Sequence, residues 1–230
     1  MHWLLRRCTV IVTLASLVPL LQGQQNTAKP LVENEHVRIT RVDLARDATY
    51  SGKTPYHQVT IQLNDAKTQL LEPAKVPKTR FSKSGDFEYF VAGSRRSLRN
   101  IDKQTASFVV IQFLRAPGKY EAMEVTRSHY CNPGSNDKSC VTEQYHFCTE
   151  RFCAETVSLD PGAISSQHTH DSDHILVATS DFTWREEAVG KQPREQSFKA
   201  GDAFYNPAGL THKFINVGKT PARMFVIQYK

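Results

Sequence analysis

Residues 162–174 have the sequence GAISSQHTHDSDH. Its three histidines, His168, His170 and His174, are separated by even numbers of positions. Side chains alternate between the two faces of an extended strand, so this spacing predicts that all three imidazoles point to the same face. A solvated tail would tolerate any spacing, whereas here the parity is kept between two strand-like stretches. We therefore interpret the cluster as a site built on one side of a β-sheet.

A second stretch, GDAFYNPAGLTHKFIN, residues 201–216, adds a histidine directly after a Pro-x-Gly turn. Neutral imidazole is the commonest protein ligand for transition metals, whereas calcium and magnesium prefer oxygen ligands. The sequence therefore predicts one divalent transition metal, drawn from iron, zinc, copper, nickel and manganese. Its predicted ligands are His168, His170, His174 and His212. The alternative is that these histidines only fill a polar cavity without metal.

These two stretches resemble the paired signatures of the cupin superfamily. The first follows the form G-x5-H-x-H-x3-E, except that His174 stands where the family usually has glutamate. The second follows the form G-x5-P-x-G-x2-H-x3-N throughout. The resemblance implies jelly-roll barrels, a metal held by the histidines and a small organic molecule as ligand. Because fold alone does not give function, the reaction has to be argued from the site.

Histidine in place of glutamate changes the charge of the predicted site. Four neutral ligands leave both positive charges of a divalent ion uncompensated, which favours an anion such as hydroxide or a substrate carboxylate or enolate. Four histidines can instead saturate a tetrahedral zinc and make a structural site. The sequence leaves both interpretations open.

An internal repeat organises the rest of the chain. FVVIQF at 108–113 matches MFVIQY at 224–229, and the same offset aligns GDFEYF at 85–90 with GDAFYN at 201–206. Strand-like stretches separated by turn residues predict an all-β fold of two jelly-roll (double-stranded β-helix) cupin barrels in tandem. The predicted segments are a signal peptide at 1–23, a leader at 24–33, an N-terminal degenerate cupin barrel at 34–118, a disulfide-containing linker segment at 119–153 and a C-terminal metal-binding cupin barrel at 154–230.

The first copy of the repeat lacks the metal ligands. In the shared register Arg96 stands where the second copy has His212, and we align His57 with His174. Arginine stays protonated and cannot donate a lone pair to a metal. We interpret the N-terminal barrel as metal-free and as structural or homodimer-forming. The alternative is an anion pocket that uses Arg96 and His57.

Four cysteines lie close together in the linker, as Cys131, Cys140, Cys148 and Cys153. An even, clustered set in an exported protein predicts two disulfides. The turn sequence after Cys131 favours pairing of nearest neighbours. The alternative is a zinc site that adds His129 or His146, although the spacings match no common zinc module.

The N-terminus and the composition predict the location and bound the partners. Arg6 and Arg7 precede an apolar run from Cys8 to Leu21, which is the pattern of a secretory signal peptide and is shorter than a membrane span. We therefore expect export to the periplasm or the extracellular space, with no membrane partner after cleavage. The charges behind the formal net charge of +6 are interspersed, so a nucleic-acid partner is not indicated.

Two functional hypotheses follow. The first is a metal-dependent enzyme, oxygenase-like or dioxygenase-type, that binds a small anionic organic substrate beside the metal. No catalytic residue can be named from the sequence for this hypothesis. The second is a non-catalytic cupin protein that binds a small ligand or holds a structural metal. An open coordination position favours the first hypothesis, and a closed four-histidine shell favours the second.

Overall fold

The computed structural model describes residues 26–121, 125–135 and 138–230. Every regular secondary-structure element in these ranges is a β-strand, which confirms the all-β prediction. No helix in the same ranges has the length and apolar character needed to cross a membrane. The segment interpreted as a signal peptide, residues 1–23, lies outside the described residues.

The N-terminal unit consists of two antiparallel sheets that pack face to face. Its strands are β1 (Thr27–Glu33), β2 (Val37–Leu44), β3 (Thr49–Ser51), β4 (His57–Gln62), β5 (Ala66–Leu71), β6 (Lys78–Ser82), β7 (Phe87–Phe90), β8 (Ser97–Asn100) and β9 (Ala106–Phe113). The larger sheet has the order β1-β2-β9-β4-β7, and the smaller sheet has the order β3-β8-β5-β6. Strand β1 lies within the segment that we expected to be a leader.

The C-terminal unit repeats this arrangement. Its strands are β10 (Tyr120–Glu121), β11 (Arg127–Cys131), β12 (Cys140–Thr149), β13 (Phe152–Leu159), β14 (His168–Thr169), β15 (His174–Ala178), β16 (Phe182–Ala188), β17 (Arg194–Phe198), β18 (Ala203–Asn206), β19 (Thr211–Asn216) and β20 (Ala222–Tyr229). The larger sheet has the order β10-β12-β13-β20-β15-β18, with β11 also paired to β12. The smaller sheet has the order β14-β19-β16-β17. Two such units in tandem are jelly rolls, as the sequence predicted.

Alternation along the strands sends apolar side chains to different cores. On β9, Phe108 faces the interior of the N-terminal unit, whereas Ile111 faces outward. On β20, Met224 faces the interior of the C-terminal unit, whereas Ile227 faces outward. The repeated sequence therefore produces the same two-faced strand in both units.

The outward faces of the two larger sheets pack on each other in one shared core. Ile61 and Ile111 of the N-terminal unit and Ile227 of the C-terminal unit are fully buried there. Phe113 stacks on Phe152 across the interface, with ring centroids 4.5 Å apart. The N-terminal unit thus buries the back of the sheet that carries part of the C-terminal site.

Both disulfides are formed with the predicted pairing. Cys131–Cys140 joins opposite positions of β11 and β12, and Cys148–Cys153 joins opposite positions of β12 and β13. The alternative of a zinc site at these cysteines is wrong, because oxidised sulfur offers no thiolate to a metal. Disulfides persist in oxidising compartments, which is the environment that the structure indicates.

The shared core predicts that the two units unfold together. Ile111→Ala removes a fully buried side chain of the N-terminal unit and should cost about 2–5 kcal/mol of unfolding free energy. Trp184 lies in the interior of the C-terminal unit, so its fluorescence reports that unit alone. In a chain beginning at Gln24, where Trp184 is the only tryptophan, Ile111→Ala should move the Trp184 denaturation midpoint.

Val76→Ala is the control, because Val76 is 89% exposed and its loss should leave the midpoint nearly unchanged. A Trp184 transition that does not respond to Ile111→Ala would contradict the shared core.

Candidate metal centre

The histidine cluster is assembled by the pairing of β14 with β19. In this ladder His168 lies directly opposite His212. The turn before β19 closes on the end of β14, where the Gly209 amide donates to the His170 carbonyl at 2.7 Å and the His170 amide donates to the Leu210 carbonyl at 3.1 Å. Gly209 has a φ of 92°, a conformation that glycine adopts without steric cost. The Pro-x-Gly turn recognised in the sequence therefore positions both sides of the site.

Three of the four predicted ligands converge. One nitrogen from each of His168, His170 and His212 lies within 4.8 Å of the others. The Nε2 atoms of His168 and His170 are 3.1 Å apart. His170 and His212 are buried, and His168 is half-buried. Such a separation of imidazole nitrogens fits three ligands around one ion.

Hydrogen bonds orient two of the three rings. The Nδ1 atom of His168 lies 2.9 Å from the Ser166 carbonyl, and Nδ1 of His212 lies 2.7 Å from Oε1 of Glu186. In both pairs Nδ1–H is assigned as the donor, which leaves a lone pair on Nε2. Nε2 of His212 is buried and has no hydrogen-bond partner among the described residues. A metal ion satisfies such a nitrogen, so these residues fit a metal.

His174 lies beside this group and not within it. Its ring stacks on the His170 ring at a centroid distance of 3.7 Å, and its Nε2 lies 3.1 Å from the side-chain amide of Asn206. Its Nδ1 is buried and without a partner in the described part of the chain. A role for His174 as fourth ligand therefore remains a prediction.

Burial lowers the pKa values of His170, His174 and His212, which favours their neutral forms. Burial and then the neighbouring His174, His168 and His212 lower the pKa of His170 to about 3. Burial and then His212 and His168 lower the pKa of His174 to about 4, although the nearby carboxylates Asp173 and Glu186 oppose that shift. Burial also lowers the pKa of His212, although its hydrogen bond to Glu186 opposes that shift. Neutral imidazole is the form that binds metals.

Two cavities adjoin the cluster. The first, which we call the acidic cavity, has a volume of about 290 Å³ and is lined in part by Glu143, Tyr145, Glu155, His168, His170 and His174. The second, which we call the arginine cavity, has a volume of about 320 Å³ and is lined in part by Trp184, Glu186, Arg194, Asn206 and His212. Space for a small molecule therefore exists on both sides of the histidines.

Glu155 and Glu186 are site residues that the sequence analysis missed. Glu155 is only 8% exposed, and burial followed by repulsion from Glu143 raises its pKa to about 7. The sequence did contain a signal for Glu155. It shares strand parity with the apolar Val157 and Leu159, so it lies on the inward face, where a charged residue is unusual. Glu186 carried no comparable signal, because its role depends on the pairing of β16 with β19.

The structure corrects one alignment in the N-terminal unit. His174 pairs with Gln228, and the repeat of Gln228 is Gln112, which pairs with Gln58. Gln58, not His57, therefore occupies the position equivalent to His174. The Nδ1 atom of His57 lies 2.7 Å from the hydroxyl of Tyr89 instead.

Arg96 is engaged within the N-terminal unit. Its guanidinium lies 2.7 Å from the Glu72 carboxylate and 3.2 Å from the Glu88 carboxylate. Two carboxylates compensate its charge, so an anion pocket built on Arg96 and His57 is not supported by these contacts.

The fold and the site together define the class of this protein. It is a tandem jelly-roll protein with a histidine cluster inside its second unit. Residues 155–228 match the family described as Cupin domain. The C-terminal unit therefore belongs to the cupin superfamily, which confirms the family resemblance of its two histidine stretches. Among curated proteins, no sequence matches it.

Solved structures of similar fold cover most of the chain. AerE from Microcystis aeruginosa has a TM-score of 0.61 at 15% identity, over 89% of this chain and 98% of that one. A Cupin 2 conserved barrel domain protein from Leptotrichia buccalis has a TM-score of 0.53 at 14% identity, over 90% of both chains. A variant of oxalate decarboxylase from Bacillus subtilis has a TM-score of 0.58 at 14% identity, over 85% of this chain and 69% of that one. The TM-scores show a shared fold, and at 14–15% identity the similarity shows the fold alone.

The buried carboxyl of Glu155 predicts a pH-dependent stability. Its pKa is about 7 in the folded chain against an ordinary 4.5, so the folded state holds a proton that the unfolded state releases, and stability falls as pH rises between these values. Glu155→Gln removes this loss. In metal-free protein the variant's stability advantage over wild type should grow by about 3 kcal/mol from about pH 4 to about pH 8.

Urea unfolding at a series of pH values measures this difference. Glu195→Gln is the control, because Glu195 is an exposed carboxylate of β17 and should show no such growth. An advantage of Glu155→Gln that is constant with pH would show that the buried carboxyl titrates normally.

Proposed function

We propose that this cupin binds one divalent transition metal in its C-terminal unit and is a metal-dependent, oxygenase-like enzyme that acts on a small anionic organic substrate. The observation that carries the proposal is the convergence of nitrogens from His168, His170 and His212 within 4.8 Å beside an internal cavity. Glu186 supports it, since carboxylates that orient ligating histidines are a recurrent feature of metal sites.

The cavity beside the cluster favours an enzyme over a structural site. Structural zinc sites are closed by four protein ligands, whereas catalytic sites leave a position for water or substrate. Here three histidines converge, and the Nε2 atom of His174 is engaged by Asn206. The remaining coordination position would then face the acidic cavity or the arginine cavity.

The charge of the site supports an anionic substrate. The three converging ligands are neutral, so a divalent ion keeps its charge and attracts an anion. Arg194 lines the arginine cavity and makes no ion pair among the described residues. Among proteins of similar fold, oxalate decarboxylase from Bacillus subtilis has Mn(II) centres, and its name identifies a small dicarboxylate as its substrate.

The metal and the residues around it would have different roles in the reaction. A bound divalent metal supplies Lewis acidity that polarises a substrate oxygen. Glu186 holds His212 in the tautomer whose Nε2 faces the site. Leu176, Phe214 and Val226 give the acidic cavity apolar walls that exclude water from the ligand.

The second candidate is a non-catalytic protein whose metal is structural. It is favoured by the burial of His174, whose Nδ1 has no partner in the described ranges and would complete a four-histidine shell if the ring turned. The d–d spectrum of Co²⁺-substituted protein separates the two candidates. A spectrum that changes when azide is added shows an open position, and an unresponsive tetrahedral spectrum supports the structural site.

We also propose that the protein is exported to the periplasm or the extracellular space after removal of residues 1–23. The two disulfides support an oxidising compartment. N-terminal sequencing of the protein from its own cells tests the cleavage.

Metal analysis tests the ligand set. Purified protein should hold about one transition metal per chain, and His168→Ala, His170→Ala or His212→Ala should each reduce this to less than about a tenth. His174→Ala should retain metal with weaker affinity, since its ring packs on His170. His129→Ala is the control, because His129 is exposed on β11. Full occupancy in the His212→Ala protein would refute the proposed site.

The contact between Glu186 and His212 predicts a separate effect on affinity. Glu186→Ala should weaken metal binding about 10- to 100-fold without abolishing it, because the imidazole loses the partner that fixes its tautomer. Competition with a chromophoric chelator measures the affinity. Glu187→Ala is the matched control, since the neighbouring carboxylate pairs with Lys213 and Arg185. Equal losses of metal affinity in the two variants would show that removal of a negative charge, and not the contact with His212, weakens binding.

A further inference from the structure

The acidic cavity contains a buried carboxyl group that metal binding does not use. Glu155 lies on β13 directly opposite Tyr145 of β12 and Val226 of β20. The Tyr145 phenol acts on this carboxyl group and opposes the rise of the Glu155 pKa. Within the described part of the chain, no lysine or arginine pairs with Glu155. The charge that raises its pKa is the carboxylate of Glu143.

This environment distinguishes Glu155 from a structural carboxylate. Carboxylates that serve the fold are paired with a cation or receive several hydrogen bonds, as the half-buried Asp43 does from Arg41 and Ser107. Glu155 has no cation beside it in the described part of the chain, and the neighbouring Glu143 carboxylate repels its charged form. Its side chain nevertheless lines the same cavity as the histidines.

We propose that Glu155 is the proton donor and acceptor for the ligand bound in the acidic cavity, a small carboxylate or enolate. This assignment rests on the proposed function. The Glu155 carboxylic acid transfers its proton to an oxygen or carbon of the anion, which leaves the Glu155 carboxylate and a ligand with one negative charge fewer. The reverse transfer restores the acid, and the Tyr145 hydroxyl stabilises the carboxylate form. Neither direction needs an oxidant or a reductant.

The pKa of Glu155, raised to about 7, suits this role because an acid that exchanges protons near neutrality works best with a pKa near the working pH. Other titratable groups face Glu155 across the cavity, and their contributions have to be separated from its own. These groups are Tyr130, Glu143, Tyr145, His168, His170 and His174.

Acetate binding to Co²⁺-loaded protein tests the assignment. If acetate binds only while Glu155 is protonated, wild-type affinity should fall about tenfold more between about pH 6 and pH 8 than that of Glu155→Gln. Any hydroxide that competes at the metal affects both proteins equally. Glu195→Gln is the control, since it removes an exposed carboxylate that does not line the cavity and should keep the pH dependence. Equal pH dependence in wild type and Glu155→Gln would overturn the assignment.

Infrared titration of the metal-free protein tests Glu155 independently of the metal. Wild type should show a protonated carboxyl band at about pH 6 that disappears by about pH 8, and Glu155→Gln should lack this band. Absence of the band from wild type overturns the assignment. A protein that shows the band but binds no Co²⁺ instead refutes the proposed metal function, so the two failures are distinguishable.

Discussion

The structure depends on the period-two alternation of strands whose two faces are both buried. On β15, His174 and Leu176 face the interior of the C-terminal unit, while Ile175 and Val177 pack against the N-terminal unit. A shift of one residue would exchange these sets and place an imidazole in the apolar interface. The packing of the two larger sheets therefore fixes the register of the site, although none of the described residues of the N-terminal unit lines either cavity.

Much of this arrangement could be predicted because it depends on local spacing. The turn at Gly209 and the repeated strands led to the fold and to a histidine cluster. The parity argument for His168, His170 and His174 assumed one strand, whereas β14 ends at Thr169 and His174 begins β15. Pairing of nearest cysteines followed from a turn sequence. The alignment of His57 was wrong by one position, and in a β-strand such an error changes the face of the sheet. The ladder with β9 showed that Gln58 is the equivalent residue.

What could not be predicted depends on contacts between distant strands. Glu186 reaches His212 only because β16 pairs with β19, and Glu155 loses its solvent only because β12 and β20 flank β13. The site therefore combines a neutral side, formed by imidazoles, with an acidic side, formed by carboxyl groups. The histidines and Glu155 line one cavity, and the Glu186 carboxylate lies behind His212.

The two disulfides have a mechanical consequence for that acidic wall. Strand β12 carries Glu143 and Tyr145, and it is cross-linked near one end through Cys140 and near the other through Cys148. The strands that carry the histidines contain no cysteine. A reductant would therefore remove both covalent links from the acidic wall, which its ladder with β13 would still hold, and would break no covalent link on the imidazole side. The redox state of the surroundings thus acts directly on one side of the cavity and not on the other.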